Sequence, residues 1–444
     1  MRYFLDPFGC VKNQVDAENM MAVLDKTGWE NTETAEAADL IIVNSCGFIE
    51  SAKQESINAV LEWRKLYPQK KILLAGCLAQ RYAKELPKLL TEADAFMGVE
   101  NLTQIVDTAS RLAGVKGKTP NAAPPDAIPA GERPLLSLPG SAYVKISEGC
   151  NNCCSYCAIP LIRGSLVSRK IPDIVDECRM LLKRGIVELN IVGQDIGAFG
   201  TENGVSKLPE LLNAISMLDG HFWVRLLYIH PDHFPMQILD LMERDKRFLP
   251  YFDIPFQHAS SKILSAMNRP GTAETNLALL ETIRARLPDA VIRSTFLLGF
   301  PGETEDDFAA LLNFQKKANM DWLGCFVYSR EEGTAAYSMK GRVPAKTAEL
   351  RKQTIEEQQV PVTEKNMERF TEQTLDVLIE EQIDAGAEGE PIWMGRLYCQ
   401  APDIDGAAVI AGADKNNKDI QTGIFIKCRV VARRGFDLEV IHQV

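Results

Sequence analysis

The chain has 444 residues, 46% of them hydrophobic and 25% charged, which is typical of a globular protein with more than one hydrophobic core. Its net charge of −11 disfavours, without excluding, a surface built mainly to bind nucleic-acid phosphates. Asp6 interrupts the apolar run that a secretory signal needs, and no later segment approaches the roughly 18 apolar residues of a membrane span. We therefore expect a cytoplasmic protein of two or three domains without a membrane partner.

The first part of the chain alternates short apolar runs with helical patterns. Apolar runs at 40–43 and 71–74 alternate with helical periodicity at 15–24 and 51–66. This alternation predicts an open parallel α/β domain over residues 1–113. Residues 114–135 are crowded with Pro, Gly and Ala and show no hydrophobic period, which predicts a linker.

Residues 136–366 contain repeated units in which a strand pattern precedes a helix pattern. Strands are predicted at 143–146, 188–192, 225–228, 252–254, 291–298 and 322–328. Six such units predict a partial (β/α)6 barrel. Within it, Thr304 and Asp307 have the spacing of a capping box, which predicts the start of a helix after the turn at 299–302.

Residues 367–444 change to short β-rich stretches separated by Asp, Gly and Asn turns, with strands predicted at 375–379, 392–398, 407–410 and 423–431. This pattern predicts a small antiparallel β-barrel. The predicted fold class is therefore α/β, with an amino-terminal open parallel domain, a central partial barrel and a carboxy-terminal β-barrel.

Cys150, Cys154 and Cys157 have the spacing C-x3-C-x2-C directly after the first predicted barrel strand. Three thiolates on one loop can bind three irons of a four-iron cluster and leave the fourth iron open to an exchangeable ligand. The alternative is a zinc site made from two C-x-x-C pairs, but such pairs normally lie a dozen or more residues apart. We therefore predict an iron–sulfur cluster, with Cys153 outside its ligand set.

Cys10, Cys46 and Cys77 each fall just beyond a predicted strand of the first domain. The carboxyl ends of parallel strands share one edge of a sheet, so three distant cysteines can converge there. Taken singly, each would be interpreted as a small buried residue. Their equivalent positions instead predict a second three-thiolate cluster. The remaining cysteines are expected in the core, at Cys178, Cys325, Cys399 and Cys428.

The C-x3-C-x2-C loop, with Tyr156 before its last cysteine, resembles the radical S-adenosylmethionine motif, and the domain order resembles the methylthiotransferases. The resemblance covers nearly the whole chain. It implies an auxiliary cluster in the first domain, a reducing cluster in the barrel and a substrate-binding β domain called TRAM. The implied cofactors are two [4Fe–4S] clusters and S-adenosylmethionine.

The same resemblance implies which residues bind S-adenosylmethionine. They are expected at the barrel mouth, at Tyr156, Gly193, Gln194, Asp195, Gln257 and Arg293. For Gln257 and Arg293, turn chemistry and exposed charge at strand ends remain an open alternative.

The implied mechanism starts with reductive cleavage of S-adenosylmethionine to a 5′-deoxyadenosyl radical, which abstracts hydrogen from an unactivated carbon. A second S-adenosylmethionine supplies the methyl group, and the auxiliary cluster is the expected route for sulfur. An electron donor and a sulfur donor are therefore expected partners. A simple electron carrier is a rival interpretation, but carriers usually ligate each cluster with four cysteines.

Two branches of this family differ in substrate. MiaB-like enzymes act on transfer RNA, whereas RimO-like enzymes act on an aspartate of the small-subunit ribosomal protein numbered twelve. The opening GCVKNQVDAE and the later QAPDIDG at 400–406 resemble the RimO-like branch. Pro7-Phe8 before Gly9, and Cys153, depart from the usual pattern.

The charge of the last domain points to the same branch. Residues 371–444 contain 13 Asp and Glu against 7 Lys and Arg, a net charge of −6. Such a domain should repel transfer RNA and attract a basic ribosomal protein, with Asp403 and Asp405 contributing. A merely solvated acidic face remains the alternative.

Overall fold

The computed structural model describes residues 1–114, 130–383, 392–410 and 420–443. The first segment alternates strands with helices, as its sequence pattern predicts. Its strands are β1 (Arg2–Pro7), β2 (Glu30–Asn31), β3 (Leu40–Ser45), β4 (Lys71–Gly76) and β5 (Ala95–Met97). Its helices are α1 (Val11–Lys26), α2 (Glu50–Leu66), α3 (Cys77–Arg81), α4 (Leu86–Leu89) and α5 (Gln104–Leu112).

These five strands form a parallel sheet in the order β2-β1-β3-β4-β5. Both faces of the sheet are covered by helices, which is why its central strands are apolar throughout. Ile42 packs with Met20 of α1 and Ile105 of α5 on one face, whereas Ile41 packs with Val60 of α2 on the other. The predicted open α/β domain is confirmed. The predicted linker falls largely on residues 115–129, which lie outside the described residues.

The next segment contains the cysteine loop. It comprises β6 (Ser141–Lys145), β7 (Ser147–Glu148), α6 (Ile159–Arg163) and β8 (Val167–Ser168). Strands β7 and β8 pair in antiparallel orientation and bring the two ends of the loop together.

The central segment repeats strand and helix. It comprises α7 (Ile171–Lys183), β9 (Glu188–Val192), α8 (Leu208–Ser216), β10 (Trp223–Leu226), α9 (Gln237–Arg244), β11 (Phe248–Asp253), α10 (Ser261–Ala266), α11 (Ala273–Arg286), β12 (Val291–Leu298), α12 (Glu305–Ala318) and β13 (Trp322–Val327).

Strand β6 and the five central strands form one open parallel sheet, ordered β13-β12-β11-β10-β9-β6. This confirms the predicted six-stranded partial barrel. The capping box is also present, because Asp307 N–H donates to Thr304 Oγ1 at 3.3 Å and Thr304 N–H donates to Asp307 Oδ2 at 2.9 Å.

The last segment comprises α13 (Ala345–Glu368), β14 (Thr374–Ile383), β15 (Ile392–Arg396), β16 (Ala408–Ile410), β17 (Phe425–Arg434) and β18 (Asp437–His442). The five strands close into a barrel in the order β14-β15-β16-β18-β17. The predicted small β-barrel is confirmed, with two additions. The sequence pattern missed β18, and β18 pairs with β16 in parallel orientation, whereas the other neighbouring pairs are antiparallel.

The chain divides into two compact units. Unit 1 consists of Met1–Leu136, Ser147–Arg169 and Ser329–Tyr337, and unit 2 of Ser137–Ile146, Lys170–Tyr328 and Ser338–Val444. The short piece after β13 belongs to unit 1 because Glu331 accepts hydrogen bonds from Lys53 at 2.9 Å and Arg81 at 2.6 Å. No helix among the described residues is both long enough and apolar enough to cross a membrane.

Within unit 2, residues 396–405 fasten the β-barrel to the partial barrel; we call them the tether segment. Every strand of the six-stranded sheet contributes a side chain to this contact. The pairs are Tyr143 with Asp403, Glu188 with Arg396, Arg225 with the Tyr398 carbonyl, Tyr251 and Arg293 with Asp405, and Trp322 with the Cys399 carbonyl.

The tether segment corrects one expectation about surface charge. The Asp405 side chain is 1% exposed, and its Oδ2 accepts a hydrogen bond from Tyr251 at 2.6 Å. Burial raises the pKa of Asp405, while Arg293 opposes this shift. Asp405 therefore contributes no charge to a binding surface. Seven of the counted charges lie outside the described residues, at positions 384, 388, 390, 414, 415, 418 and 419.

Glu188 is the central carboxylate of this contact. It accepts hydrogen bonds from Arg396 at 2.5 Å and from Arg225 at 3.0 Å, and all three side chains are buried. Burial alone would raise the pKa of Glu188, but the two guanidinium groups outweigh it and lower the pKa to about 2. The carboxylate therefore stays ionised inside the protein.

We expect Glu188→Gln to lower the free energy of unfolding by about 3–5 kcal/mol, because two buried guanidinium groups lose a shared carboxylate. The control is Glu439→Gln, which removes the half-buried partner of the mostly exposed Arg434 and should change stability little. Urea unfolding followed by circular dichroism measures both. Equal losses of stability in the two variants would contradict the role of Glu188 as the central carboxylate of this contact.

The same pair has a pH dependence of defined sign. The pKa of Glu188 is lower in the folded protein than its ordinary value of 4.5, so its contribution is complete above that pH. Stability should fall as the pH drops from about 4.5 toward 2, and Glu188→Gln should lack this part of the loss.

Candidate functional site

Cys10, Cys46 and Cys77 lie at the carboxyl ends of three neighbouring strands of unit 1. Cys10 precedes α1, Cys46 follows β3, and Cys77 begins α3 directly after β4. Because β1, β3 and β4 are adjacent and parallel, their ends share one edge. The structure thus places the three predicted ligands at the same edge, as expected from the sequence.

The loops that carry these cysteines approach each other closely. Gly9 has a φ of +93°, and a Cβ atom there would lie 2.9 Å from the Cβ of Cys46. Glycine is therefore required, because a side chain would push the Cys10 and Cys46 loops apart.

Asn13 holds the same loops from within α1. Its Nδ2 donates to the Phe8 carbonyl at 2.6 Å and the Ser45 carbonyl at 3.2 Å, and its Oδ1 lies 3.7 Å from the Sγ of Cys77. One buried amide therefore contacts the loops of all three cysteines. These contacts hold the three loops together.

The C-x3-C-x2-C loop is held by its own backbone. Cys150 N–H donates to the Gly164 carbonyl at 3.2 Å, and Cys157 N–H donates to the Cys154 carbonyl at 3.0 Å. Ile159 N–H lies 3.4 Å from the Sγ of Cys157. Cys153 is exposed and has a φ of +49°, which marks it as a turn residue between the predicted ligands.

Both cysteine sets belong to unit 1, and Cys77 packs against residues that directly follow the second set. Cys77, Ala158 and Ile162 form one buried cluster, with Phe48 and Val99 beside it. Among the described residues, no three His, Cys, Asp or Glu side chains converge as they would on a single metal ion. A multi-iron cluster does not need this arrangement, because each thiolate binds a different iron.

The thiols of Cys10, Cys46 and Cys77 differ in pKa. Burial would raise the pKa of Cys10, but the charge of Lys12 and backbone hydrogen bonds outweigh it and lower that pKa. Burial raises the pKa of Cys77 to about 12, against the opposing effect of Arg163. Burial also raises the pKa of Cys46. Because thiolates are the metal ligands, metal binding by Cys46 and Cys77 would release protons.

In unit 2, Gly193, Gln194 and Asp195 form the turn after β9. Asp195 Oδ1 accepts hydrogen bonds from the N–H groups of Gly197 and His230, both at 3.1 Å, and its Oδ2 lies 2.7 Å from His233 Nδ1. The hydrogen bond to Asp195 raises the pKa of His233, whereas burial lowers that of His230 to about 3. The Asp195 carboxylate therefore organises the turn.

Gln194 differs from Asp195, because neither its Nε2 nor its Oε1 has a hydrogen-bond partner among the described residues, although both atoms are buried. Asn190 Oδ1 and Asp253 Oδ2 in the same unit are likewise buried without partners there. Leaving such groups unsatisfied costs about 1–3 kcal/mol each. An unpartnered buried amide such as that of Gln194 suits a polar cofactor such as S-adenosylmethionine, which carries amine, carboxylate and hydroxyl groups.

The other two predicted mouth residues have different surroundings. Gln257 has a φ of +67°, and its backbone bonds to Thr295 and Leu297 of β12 at 2.8 Å each. Arg293 lies 3.4 Å from Asp253 Oδ1 and 3.6 Å from Asp405 Oδ1. Arg293 therefore already interacts with carboxylates of unit 2. Tyr156 is half-buried in the cysteine loop of unit 1.

Sequence reasoning missed two side chains of the site, Arg163 and His233. Arg163 is buried against Cys77, and His233 is paired with Asp195. The signal for Arg163 was available, since it is the charged residue in the otherwise apolar run AIPLIRG after Cys157. His233 carried no comparable signal.

Three known family models match successive parts of the chain. Residues 2–98 match the uncharacterized protein family UPF0004, residues 144–314 the Radical SAM superfamily, and residues 373–441 the TRAM domain. A protein of Treponema denticola named ribosomal protein uS12 methylthiotransferase RimO is 47% identical over 98% of this chain and 100% of that protein. The chain belongs to the RimO family. It is a radical S-adenosylmethionine methylthiotransferase.

Two further members of the family carry the same name. The protein of Syntrophomonas wolfei is 41% identical over 97% of both chains. That of Acetivibrio thermocellus is 39% identical over 98% of this chain and 97% of the other. The resemblance that the cysteine motif and domain order indicated is therefore confirmed at the level of the family.

Solved structures share the fold at low sequence identity. The radical S-adenosylmethionine methyltransferase TsrM of Kitasatospora setae, with cobalamin and a [4Fe–4S] cluster bound, superposes with a TM-score of 0.54 at 15% identity over 76% of each chain. OxsB, with aqua-cobalamin and S-adenosylmethionine bound, has a TM-score of 0.51 at 11% identity, over 80% of this chain and 56% of that one. These likenesses support the fold alone.

Replacing Gln194 by Ala should weaken binding of S-adenosylmethionine by roughly 5- to 30-fold, the loss expected for one or two hydrogen bonds. Equilibrium dialysis against the reconstituted protein measures the dissociation constant. The control Gln353→Ala removes an exposed amide of α13 that pairs with Glu357 and should leave binding unchanged. An unaltered constant in Gln194→Ala would remove this residue from the cofactor site.

Proposed function

We propose that this chain inserts sulfur and a methyl group at the β-carbon of an aspartate of ribosomal protein uS12. The observation that carries the proposal is 47% identity over nearly the full length of a relative with that named activity. Two three-cysteine sets within one compact unit support it, because the resemblance implies a reducing cluster and an auxiliary cluster, and three thiolates leave one iron of a four-iron cluster open. Activity on transfer RNA is the alternative, and the relatives do not favour it.

The first [4Fe–4S] cluster is assigned to Cys150, Cys154 and Cys157. When bound, it supplies the electron that cleaves S-adenosylmethionine to a 5′-deoxyadenosyl radical. The chain contributes the positions of the three thiols, which the β7–β8 pair and the backbone hydrogen bonds of the loop fix. Cys153 has no assigned role as a ligand.

The second [4Fe–4S] cluster is assigned to Cys10, Cys46 and Cys77. Their fit rests on the shared edge of β1, β3 and β4 and on the amide of Asn13, which contacts all three loops. Three thiolates would again leave one iron free to carry sulfur.

The residues assigned to S-adenosylmethionine are those expected from the sequence. Gln194 has the strongest support, because its buried amide lacks a partner among the described residues. Asp195 would act by shaping the turn that carries Gln194. Support for Gly193 and Tyr156 is positional, and Gln257 and Arg293 already have interactions within unit 2.

The remaining partners follow from the chemistry. The reaction needs an external electron donor and a sulfur donor, and we place it in the cytoplasm, where ribosomal proteins are made. Charge complementarity with uS12 is a weaker argument than the sequence indicated, since Asp405 is buried. The domain boundaries at 113, 135 and 366 also stay predictions.

Anaerobically reconstituted protein should hold about eight irons per chain, from two four-iron clusters. Changing Cys150, Cys154 and Cys157 together to Ala should leave about four, and so should the matched change of Cys10, Cys46 and Cys77. Cys153→Ala is the control and should keep the full content. Iron loss in the control, or none in either triple variant, would contradict the ligand assignment.

Mass spectrometry of uS12 and transfer RNA from cells with and without this gene tests the substrate. We expect a methylthio group on one uS12 aspartate, present only with the gene, and no change in transfer RNA. The opposite pattern would move the chain to the MiaB-like branch.

Two single-cysteine variants test whether the two clusters have separate roles. Cys154→Ala should abolish 5′-deoxyadenosine formation, whereas Cys46→Ala should keep it and fail to insert sulfur. Chromatography of 5′-deoxyadenosine provides the measurement, and equal loss in both variants would contradict separate roles.

A further inference from the structure

Arg163 is a buried cation next to a predicted cluster ligand. It is the last residue of α6, six positions after Cys157, and its side chain is 2% exposed. Burying a charged side chain costs much free energy unless partners compensate the charge. The contacts of Arg163 therefore indicate its role.

Three anionic or polarisable groups surround the guanidinium. Nη2 lies 2.7 Å from Asp16 Oδ2 and 3.1 Å from the Sγ of Cys77, and Nη1 lies 2.9 Å from Glu148 Oε2. Asn13 Oδ1 is 3.4 Å from Nη2. All of these residues belong to unit 1.

A purely structural ion pair is the simpler interpretation. Asp16 and Glu148 already satisfy the charge of Arg163, and such a pair would not need a sulfur atom nearby. The geometry nevertheless aims one Nη2 proton at Cys77, because Asp16 and Glu148 fix the plane of the guanidinium. Arginine suits this arrangement better than lysine, since its rigid fork can serve several acceptors at once.

We propose that Arg163 donates a hydrogen bond to the cluster-bound sulfur of Cys77 and thereby raises the reduction potential of the auxiliary cluster. Reduction adds negative charge to the cluster, and a donor aimed at a ligand sulfur stabilises that charge. Arg163 is thus a positioning and electrostatic residue. The inference rests on the proposed assignment of a cluster to Cys10, Cys46 and Cys77.

The position of Arg163 in the chain adds a second consequence. The residue belongs to the loop that carries Cys150, Cys154 and Cys157, yet its charge acts on the other cysteine set. The loop that would hold the reducing cluster therefore also sets the electrostatic surroundings of the auxiliary cluster.

The test uses the full chain with Cys150, Cys154 and Cys157 changed to Ala, so that only the auxiliary cluster is present. A redox titration followed by electron paramagnetic resonance gives its midpoint potential, and an iron assay gives its content. Arg163→Gln should shift the midpoint to a more negative value at unchanged iron content. Arg163→Lys keeps the charge but not the fork, and should shift it less in the same direction.

Arg64→Gln is the matched control. Arg64 bonds to the carbonyls of Pro68, Lys70 and Glu92 and to Asp94, near the opposite edge of the same sheet. Its loss should leave the midpoint unchanged.

Each other outcome decides against the inference in a recognisable way. An unchanged midpoint potential in Arg163→Gln at full iron content overturns the proposed role of Arg163 and leaves the assignment of the auxiliary cluster standing. If Arg163→Gln loses its iron, the midpoint potential of Arg163→Lys is the test, and an unchanged value again overturns the proposed role. Iron loss in both variants would overturn it as well and assign Arg163 to cluster assembly. Absence of iron in the parent triple variant overturns the auxiliary cluster itself, and this inference with it.

Discussion

The parallel pairing of β1, β3 and β4 is the constraint on which the predicted auxiliary metal site depends. The register pairs Pro7 with Asn44 and Ser45 with Gly76, so all three strands end at one level. A shift of one residue would turn every side chain of a strand to the other face and disrupt its packing against α1 and α5 on one side and α2 on the other. The burial of this sheet on both faces therefore also fixes where Cys10, Cys46 and Cys77 emerge.

A second constraint is the balance of buried charge around the cysteines. Iron bound at the proposed auxiliary site would bring thiolate charge to a region that already contains Asp16, and Arg163 would oppose that charge. Elsewhere in unit 1, the buried carboxylate of Glu331 compensates the positive charges of Lys53 and Arg81. Unit 1 thus places opposite charges together at both of these places, and the ion pairs hold the chain segments that carry them in defined positions.

Much of this could be predicted from the sequence, because strong apolar runs and cysteine spacing are local signals. The bounds predicted for the strands at 188–192 and 291–298 agree with β9 and β12. Strand β18 was missed because DLEVIH is short and two of its six residues are acidic. Asp405 was expected at the surface because its partners, Tyr251 and Arg293, are more than a hundred residues away. The contact of Arg163 with Cys77 was missed for a similar reason, because 86 positions separate the two residues.

The tether segment limits how modular the carboxy-terminal domain can be. Its contacts with all six strands of the partial barrel rely on buried side chains, among them Arg396 and Asp405. A TRAM domain transplanted from a relative with another substrate would bring its own tether and meet mismatched partners at Glu188, Arg225 and Tyr251. Exchange of substrate range by domain recombination would therefore require matching changes inside the barrel, so the two parts are expected to evolve together.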